Sequence, residues 1–276
     1  MANIISKWSY YGISILSLLF GIKAPFRTIR IFCQKEQREK FKVELWSGLV
    51  FFVRSKIDLW ILKETCIDKC YEFSRLMPLE VSVIIDIGAA FGDFSVWIAK
   101  KFPEAKVYSF EPFPESFALL EQNLKQNSVE NVEALPLFAS AEKREFCINS
   151  VFQGDPGNFS VLALGSIANA STDSAIRVEA ISFKDFLRNL PGYCDILKMD
   201  CEGAEFEILQ SLDSNDLRKI RYIALEYHNG ITKYSDFDLR LMLEQAGFEV
   251  HLKPNPVHSD IGLLFAGQKD SKTRDS

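Results

Sequence analysis

Val83-Ile-Ile-Asp-Ile-Gly-Ala-Ala-Phe-Gly-Asp-Phe-Ser95 is the stretch that decides the fold, because it predicts a buried strand, a glycine turn and the start of a helix. The nearly continuous β-branched run from Val81 to Ile87 is typical of a strand covered on both faces, as in the centre of a parallel sheet. Gly88 and Gly92 allow a tight turn and a close approach of the backbone to a ligand. The stretch therefore predicts an α/β fold with a nucleotide-type site at the carboxyl end of this strand.

Asp86 interrupts the apolar strand, and its charge distinguishes between nucleotide ligands. An unpaired buried carboxylate is costly, so Asp86 must face a crevice or a partner. A carboxylate here would repel the pyrophosphate of a dinucleotide, and the G-x-G-x-x-G pattern is absent. S-adenosylmethionine carries a positive amino group and a sulfonium, both of which suit Asp86. The sequence therefore favours S-adenosylmethionine as the cofactor.

A second predicted strand follows at Lys106–Phe110 and leads directly to Glu111, nineteen residues after Gly92. A carboxylate that binds ribose hydroxyls stands at about this position in nucleotide-binding α/β domains. The alternative is that Asp86 and Glu111 only cap strand ends in an unrelated α/β domain. The joint pattern favours the nucleotide site.

Composition and charge favour one soluble domain without a nucleic-acid partner. The chain has 276 residues with 47% hydrophobic and 25% charged residues, and 32 basic minus 37 acidic residues gives a net charge of −5. Such a chain accommodates one large α/β domain with an N-terminal extension. Residues 1–45 hold eight Lys or Arg and three Glu, a net charge of +5, which leaves about −10 for the remainder. The negative remainder gives no reason to expect DNA or RNA.

The cysteines predict neither zinc nor disulfides. Six cysteines are present without a C-x-x-C pair or clustered histidines. Free thiols in a reducing compartment are the expected state, which favours a cytoplasmic localisation.

Residues 8–22 form an apolar run of about fifteen residues with three serines, too short to span a bilayer. Lys23 and Pro25 stand where a signal peptide would need a small-residue cleavage site. Two interpretations remain open. The segment forms a helix packed on the domain, or it lies at a membrane surface while the basic residues that follow contact anionic lipid, namely Lys23, Arg27, Arg30 and Lys35.

The order of patterns divides the chain into a main domain and its additions. Residues 1–42 are an apolar and basic extension, and 43–78 predict a hairpin around Ser47-Gly48 and a helix over 58–73 that together cap the main domain. The main domain covers 79–268, and a polar tail covers 269–276. Within it, 139–175 is loosely patterned and is interpreted as a lid over the substrate, with a flexible surface insertion as the alternative.

The stretch from Tyr193 to Leu209 predicts another buried strand that ends at Asp200 and a helix that begins near Gly203. Asp200, Glu202 and Glu205 crowd this turn. Some of these acids complement the helix dipole. Asp200 fits that explanation poorly, because it stands at a strand end that faces the same crevice as Asp86.

Four motifs together resemble the FkbM-type S-adenosylmethionine-dependent methyltransferases over roughly residues 43–267. They are Asp86-Ile-Gly-Ala-Ala-Phe-Gly-Asp-Phe-Ser95, Phe110-Glu-Pro112, Leu197-Lys-Met-Asp-Cys-Glu-Gly-Ala-Glu205 and Ala224-Leu-Glu-Tyr-His228. The resemblance implies a Rossmann-like class I methyltransferase fold, with a seven-stranded, mostly parallel sheet of order 3-2-1-4-5-7-6, an antiparallel last strand and helices on both faces. It also implies O-methylation of a hydroxyl on a sugar, glycolipid or secondary metabolite. Family members often carry Asn where this chain has Ala90.

The resemblance assigns the cofactor-binding roles. Backbone around the glycine turn would hold the methionine portion, Asp86 would lie near its amino group, and Glu111 would bind the ribose hydroxyls. The other expected cofactor contacts are Gly88, Ala89, Gly92, Pro112, Phe113, Ser140 and Asp200, with Pro112 or Phe113 on the adenine face and Ser140 at its edge.

Methyl transfer to an alcohol requires a group that removes the hydroxyl proton. The strand ends offer Asp200, Glu202, Glu226 and His228, and we expect Asp200 or His228 to be the base. A structural role for His228 and a bound Mg²⁺ or Mn²⁺ are alternatives, and the metal is not favoured. The expected partner is a small-molecule or glycan acceptor. A non-catalytic S-adenosylmethionine-binding protein of a glycan pathway and a NAD-type Rossmann oxidoreductase are the alternative functions.

Overall fold

The computed structural model describes residues 4–25, 28, 40–149, 175–201 and 203–269. Its α-helices are α1 (Ile4–Gly21), α2 (Lys56–Leu62), α3 (Asp93–Lys101), α4 (Pro114–Gln126), α5 (Phe183–Asn189), α6 (Glu205–Ser211), α7 (Ser214–Arg218) and α8 (Asp236–Gln245). Its strands are β1 (Phe41–Glu44), β2 (Val50–Val53), β3 (Val83–Ile87), β4 (Lys106–Phe110), β5 (Val132–Leu135), β6 (Phe138–Ser140), β7 (Arg144–Asn149), β8 (Ala175–Ser182), β9 (Cys194–Met199), β10 (Ile220–His228), β11 (Phe248–Pro254) and β12 (Ile261–Gln268).

The centre of the fold is a seven-stranded sheet in the order β11-β12-β10-β9-β3-β4-β5. Strand β12 runs antiparallel to β10 and β11, whereas the pairs from β10 to β5 are parallel. Numbered within this sheet along the chain, the order is 3-2-1-4-5-7-6 with an antiparallel last strand. The predicted fold class and topology are confirmed.

Strand β3 is central, and its alternating side chains join two separate cores. Ile85 and Ile87 pack into a cluster with side chains of α5, α6 and α8. Ile84 packs on the other face, in a cluster that includes side chains of α3, α4 and the hairpin β1–β2. Burial on both faces explains why the strand lacks polar alternation, apart from Asp86.

The predicted hairpin is confirmed, with β1 and β2 pairing antiparallel around a Gly48 of positive φ. Two asparagine side chains of α4 bond the backbone of its second strand. The Asn123 amide accepts the Phe52 N–H and donates to the Phe52 carbonyl, and the Asn127 amide does the same with Val50. The hairpin is therefore a fixed part of the domain surface.

The helix predicted over 58–73 is shorter than expected. Ser55 caps α2 by accepting the Asp58 N–H, and the chain continues as a π-helical turn over Lys63–Ile67. Lys69 then adopts a φ of +53°, which ends the helix. The segment that follows is irregular, so it can place Tyr71 towards the ends of the sheet strands.

The sequence from Asn131 to Phe138 predicts one further strand, but the structure divides it at Pro136. Proline has no N–H for the strand ladder, and β5 ends at Leu135. Strand β6 then joins a separate three-stranded sheet of order β6-β8-β7. The loosely patterned region 139–175 thus contributes β7, while residues 150–174 lie outside the described residues and the lid stays a prediction.

Other boundaries differ by small shifts. Helix α6 begins at Glu205 rather than near Gly203, and Ser182 caps α5 by accepting the Asp185 N–H. The helix expected over residues 8–22 covers Ile4–Gly21. None of the helices in the described ranges has the length and apolarity that crossing a bilayer requires.

Candidate active site

The glycine turn joins the ends of three neighbouring strands. The N–H groups of Gly88 and Ala89 both donate to the Phe110 carbonyl, at 3.1 and 3.0 Å, and the Asp200 N–H donates to the Ile87 carbonyl at 3.0 Å. Gly88 has a φ of +77°, and a Cβ there would lie 1.9 Å from the Asp200 carbonyl oxygen. Only glycine allows the turn after β3 to approach the turn after β9 this closely.

Asp86 is fully buried, and its carboxylate has partners on β9 and α3. Strand register places it opposite Lys198 on β9 and Ser109 on β4. Its Oδ1 lies 3.1 Å from the Lys198 Nζ, and its Oδ2 accepts a 2.6 Å hydrogen bond from the Ser95 hydroxyl of α3. The requirement for a partner is thereby met inside the protein, and the expected contact with a cofactor amino group stays a prediction.

Lys198 is a buried cation directly below the glycine turn. Its Nζ donates to the Gly88 carbonyl at 2.7 Å and lies 5.5 Å from the centre of the Tyr71 ring. Burial alone would lower the lysine pKa, but the carboxylates of Asp86, Asp200 and Asp93 raise it above its ordinary value. Lys198 therefore stays charged and fixes the backbone of the turn.

Asp93 begins α3 and adds a second carboxyl beside this cation. Burial raises the pKa of Asp93 to about 6, although Lys198 and a hydrogen bond from Thr65 lower it. Thr65 and Cys66, whose thiol lies 3.5 Å from the Asp93 carbonyl oxygen, belong to the π-helical turn. The segment 43–78, called the capping segment below, thus contacts the start of α3.

Glu111 stands at the end of β4 and binds the backbone on both sides of the crevice. Its Oε2 accepts the Ala90 N–H at 2.8 Å, and its Oε1 accepts the Phe113 N–H at 2.9 Å. Burial raises the pKa of Glu111 to about 7, and these two N–H groups reduce the rise. Both oxygens of Glu111 are thus held in fixed positions, with Pro112 and Phe113 on the turn that follows.

Ser140 lies at the end of β6, outside the main sheet. It pairs with Ser182 of β8, it is buried, and its hydroxyl donates to the Glu142 carbonyl. The expected contact of Ser140 with the adenine edge stays a prediction.

Asp200 bonds to a side chain from the capping segment. The Tyr71 hydroxyl donates to its Oδ2 at 2.9 Å. Burial raises the pKa of Tyr71 well above its ordinary value, and the carboxylates of Asp200 and Glu226 raise it further. Tyr71 is therefore a neutral donor between the acids of two strand ends.

Glu205 organises the turn after β9. Its carboxylate accepts the N–H groups of Cys201 and Gly203, at 2.7 and 2.8 Å, and lies 3.9 Å from the Nδ1 of His228. Burial raises the pKa of Glu205, opposed by His228 and the Cys201 N–H. The structure thus pairs the two proposed bases separately, Asp200 with Tyr71 and His228 with Glu205. Glu202 lies outside the described residues.

The sequence model of the Methyltransferase FkbM domain matches residues 86–250, a span that includes the ends of all these strands. The chain belongs to the FkbM methyltransferase family. Methyltransferase 1 of Beauveria bassiana is 26% identical over 69% of this chain and 81% of its own length. Methyltransferase sdnD of Sordaria araneosa is 28% identical over 73% and 86%, and the hexuronic acid methyltransferase AglP of Haloferax volcanii is 24% identical over 66% and 71%.

Two solved structures are also similar to this chain. The methyltransferase FkbM of Methylobacillus flagellatus is 14% identical with a TM-score of 0.46, covering 75% of this chain and 53% of that one. TYW2 of M. jannaschii, solved in complex with AdoMet, is 13% identical with a TM-score of 0.45, covering 84% and 87%.

Two residues of this FkbM site, Tyr71 and Lys198, were not predicted from the sequence, and Glu205 was named only as one of the acids in the turn after β9. Lys198 could have been identified from the sequence, because a charged side chain within the predicted buried strand Cys194–Met199 needs a partner, as Asp86 does in its own strand. Tyr71 could not have been identified in this way, because it lies in an irregular segment without a sequence pattern that indicates its position. Among the described residues of this FkbM domain, no three His, Cys, Asp or Glu side chains form a group suited to a metal ion.

Proposed function

We propose that this protein is an S-adenosylmethionine-dependent O-methyltransferase that acts on a hydroxyl of a sugar-containing or secondary-metabolite acceptor. The observation that carries the proposal is the FkbM match from Asp86 to Val250, because it spans every strand end that builds the crevice. The topology of the sheet agrees with it. Membership of this family favours a methyltransferase over the alternative of a NAD-type oxidoreductase.

The residues at the crevice fit the charges of this cofactor. Its methionine end carries an ammonium and a carboxylate, and one charge of each sign, Asp86 and Lys198, lies buried directly beneath the glycine turn. Gly88 permits close backbone approach, and Glu111 offers a carboxylate for ribose hydroxyls at the end of the next strand. The cofactor, when bound, would supply a methyl group attached to a positively charged sulfur.

The chain must then orient the acceptor and remove its proton. We assign the removal of this proton to Asp200, which follows β9. Its carboxylate accepts a hydrogen bond from the Tyr71 hydroxyl. Alignment of the acceptor oxygen with the methyl group supplies much of the rate. His228 is the second candidate, because its ring lies in a cleft with Glu205 and with further polar side chains that suit a hydroxyl-rich ligand, namely Asn229, Thr232, Tyr234 and Ser235.

The acceptor class rests on the relatives. AglP is named a hexuronic acid methyltransferase, and this name favours a sugar hydroxyl or acid over a nucleic acid as the acceptor here. A divalent metal ion is not needed for the assignment, since Asp200 and His228 each offer a base.

The test is a methyl-transfer assay with labelled S-adenosylmethionine and a panel of sugars, uronic acids and lipid-linked glycans, with products identified by mass. Transfer to an acceptor oxygen, lost in Asp200→Asn and retained in the surface variant Asp185→Asn, supports the proposal. Cofactor binding without transfer to any acceptor would favour the non-catalytic binding protein instead. Transfer to nitrogen or carbon would refute the O-methyl assignment.

A further inference from the structure

Helix α1 packs on the domain through a row of polar side chains and through Leu18, which is buried in the core. The Tyr10 hydroxyl donates to Glu64 at 2.8 Å, the Ser14 hydroxyl accepts from Lys63 at 2.9 Å, and the Ser17 hydroxyl donates to Asp68. These three partners belong to the π-helical turn and the residue that follows it. Gly21 fixes the other end, since a Cβ there would lie 2.3 Å from the Ile67 side chain. The helix is therefore attached to the domain in one orientation.

The opposite side of α1 is apolar and faces solvent. Six large apolar side chains on it are 39–78% exposed, namely Trp8, Tyr11, Ile13, Ile15, Leu16 and Phe20. No charged residue occurs between Trp8 and Ile22. A surface helix of a globular protein normally has the reverse arrangement, with its apolar side on the core. An apolar face of this size indicates a binding partner.

Charge distinguishes between the possible partners of this face. Lys7 precedes the apolar run, and Lys23, Arg27, Arg30 and Lys35 follow it within a region of net charge +5. A second copy of the chain, docked by two-fold symmetry, would bring two such basic regions together, which is unfavourable. An anionic lipid surface instead attracts the basic residues while its acyl region accepts the apolar side chains.

Exposed aromatic side chains on and beside α1 indicate how deeply it would enter a lipid surface. Trp8 and Tyr11 lie on the exposed face, and Trp46, 65% exposed in the hairpin turn, donates its backbone N–H to the Gly21 carbonyl at the end of the helix. Tryptophan and tyrosine favour the boundary between headgroups and acyl chains. Trp46 therefore adds an exposed aromatic side chain beside the end of α1.

We propose that the exposed face of α1, together with Trp46, binds the surface of an anionic lipid bilayer. The helix lies along the surface rather than across it, because its polar side is bonded to the domain. Its length, about 27 Å from a rise of about 1.5 Å per residue, runs parallel to the membrane. This contact does not depend on the proposed chemistry, since it involves neither the crevice nor the cofactor.

The test is flotation of the full chain with vesicles of phosphatidylcholine, with and without phosphatidylserine. We expect binding to the vesicles that contain phosphatidylserine, weakened by salt. Phe20→Ser combined with Ile13→Ser should reduce the bound fraction roughly tenfold or more, because two apolar side chains are lost from the contact. The matched control is Phe237→Ser, which removes a phenylalanine that is 66% exposed on α8 and should leave binding unchanged.

Circular dichroism and thermal unfolding of each variant show whether it is folded. Arg27→Gln with Arg30→Gln should reduce the preference for anionic vesicles roughly tenfold or more, because two cationic side chains are lost from the region that attracts anionic lipid. The proposal is overturned if the wild-type chain does not float, or if Phe237→Ser reduces binding as much as the α1 variant. It is also overturned if the chain is a dimer that Phe20→Ser dissociates, because the face would then be an interface between copies.

Discussion

Asp86 and Lys198 lie opposite each other on adjacent parallel strands and form a buried ion pair of 3.1 Å beneath the glycine turn. The Lys198 side chain is 5% exposed and the Asp86 side chain is fully buried, so water does not solvate either charge. The pair joins β3 to β9, and through the Lys198 bond to the Gly88 carbonyl it also holds the glycine turn. The conformation of the crevice therefore depends on this pair.

The first prediction concerns the loss of one partner. Lys198→Met leaves Asp86 buried without its cation and should lower the free energy of unfolding by about 3–5 kcal/mol. Adding Asp86→Asn removes the remaining charge and should restore part of this loss. Urea unfolding of the two single variants and the double variant measures the coupling. Additive losses would show that the pair contributes no interaction of its own.

The second prediction contrasts two positions of the same turn. Gly88→Ala forces a Cβ into the Asp200 carbonyl and should destabilise the protein by several kcal/mol or prevent folding, whereas Gly192→Ala, with open space around it, is the matched control. Ala90 already holds a φ of +47°, so Ala90→Gly should stabilise by about 1 kcal/mol. Thermal unfolding compares the three. Destabilisation by Ala90→Gly would contradict the described turn.

The third prediction concerns pH. The folded-state pKa of Glu111 is raised from 4.5 to about 7 by burial, so folding favours its protonated form. The resulting stabilisation is complete below about pH 4.5 and is lost as the pH rises through about 7, by about 3 kcal/mol in total. The stability of wild type minus that of Glu111→Gln should therefore fall between these two pH values in urea unfolding. A constant or rising difference would contradict the raised pKa.

The fourth prediction separates the two proposed bases by their kinetics. If Asp200 removes the acceptor proton, Asp200→Asn should lower kcat by roughly 10²–10⁴-fold, while His228→Gln retains most of it. Tyr71→Phe, which keeps the ring and removes the hydrogen bond to Asp200, should lower kcat by roughly tenfold with little change in the KM for the cofactor. The reverse ranking of Asp200→Asn and His228→Gln would assign the base to His228.

The sequence predicted the sheet well because its signals are local. The apolar run of β3, the glycines after it and the acids at the ends of β4 and β9 each follow from residues near in sequence, and the observed topology agrees. The division at Pro136 was also readable, since proline ends a strand ladder, and it was missed. The expected helix 58–73 was too long because nothing in the sequence announces the positive φ of Lys69.

The side-chain partners in the site were less predictable because they come from distant parts of the chain. Tyr71 reaches Asp200 across 129 positions, and only the packing of the capping segment brings them together. Asp86 was correctly predicted to need a partner, but Lys198 was not identified because strand pairing had to be known first. The polar attachment of α1 likewise depends on the π-helical turn, whose pattern the sequence does not display.

The most direct test of the central claim is calorimetric titration with S-adenosylmethionine and its demethylated product. At a pH above the Glu111 pKa of about 7, we expect the wild-type chain to bind both. Glu111→Gln should weaken binding roughly tenfold or more through loss of a charged acceptor for the ribose hydroxyls, and the exposed control Glu104→Gln should bind like wild type. A 2′-deoxyribose analogue should bind the wild type weakly. Glu111→Gln should change the affinity for this analogue little, because the analogue lacks a hydroxyl that Glu111 would bind. Absence of binding to the folded wild-type chain, or equal affinity in Glu111→Gln, would contradict the assigned cofactor site.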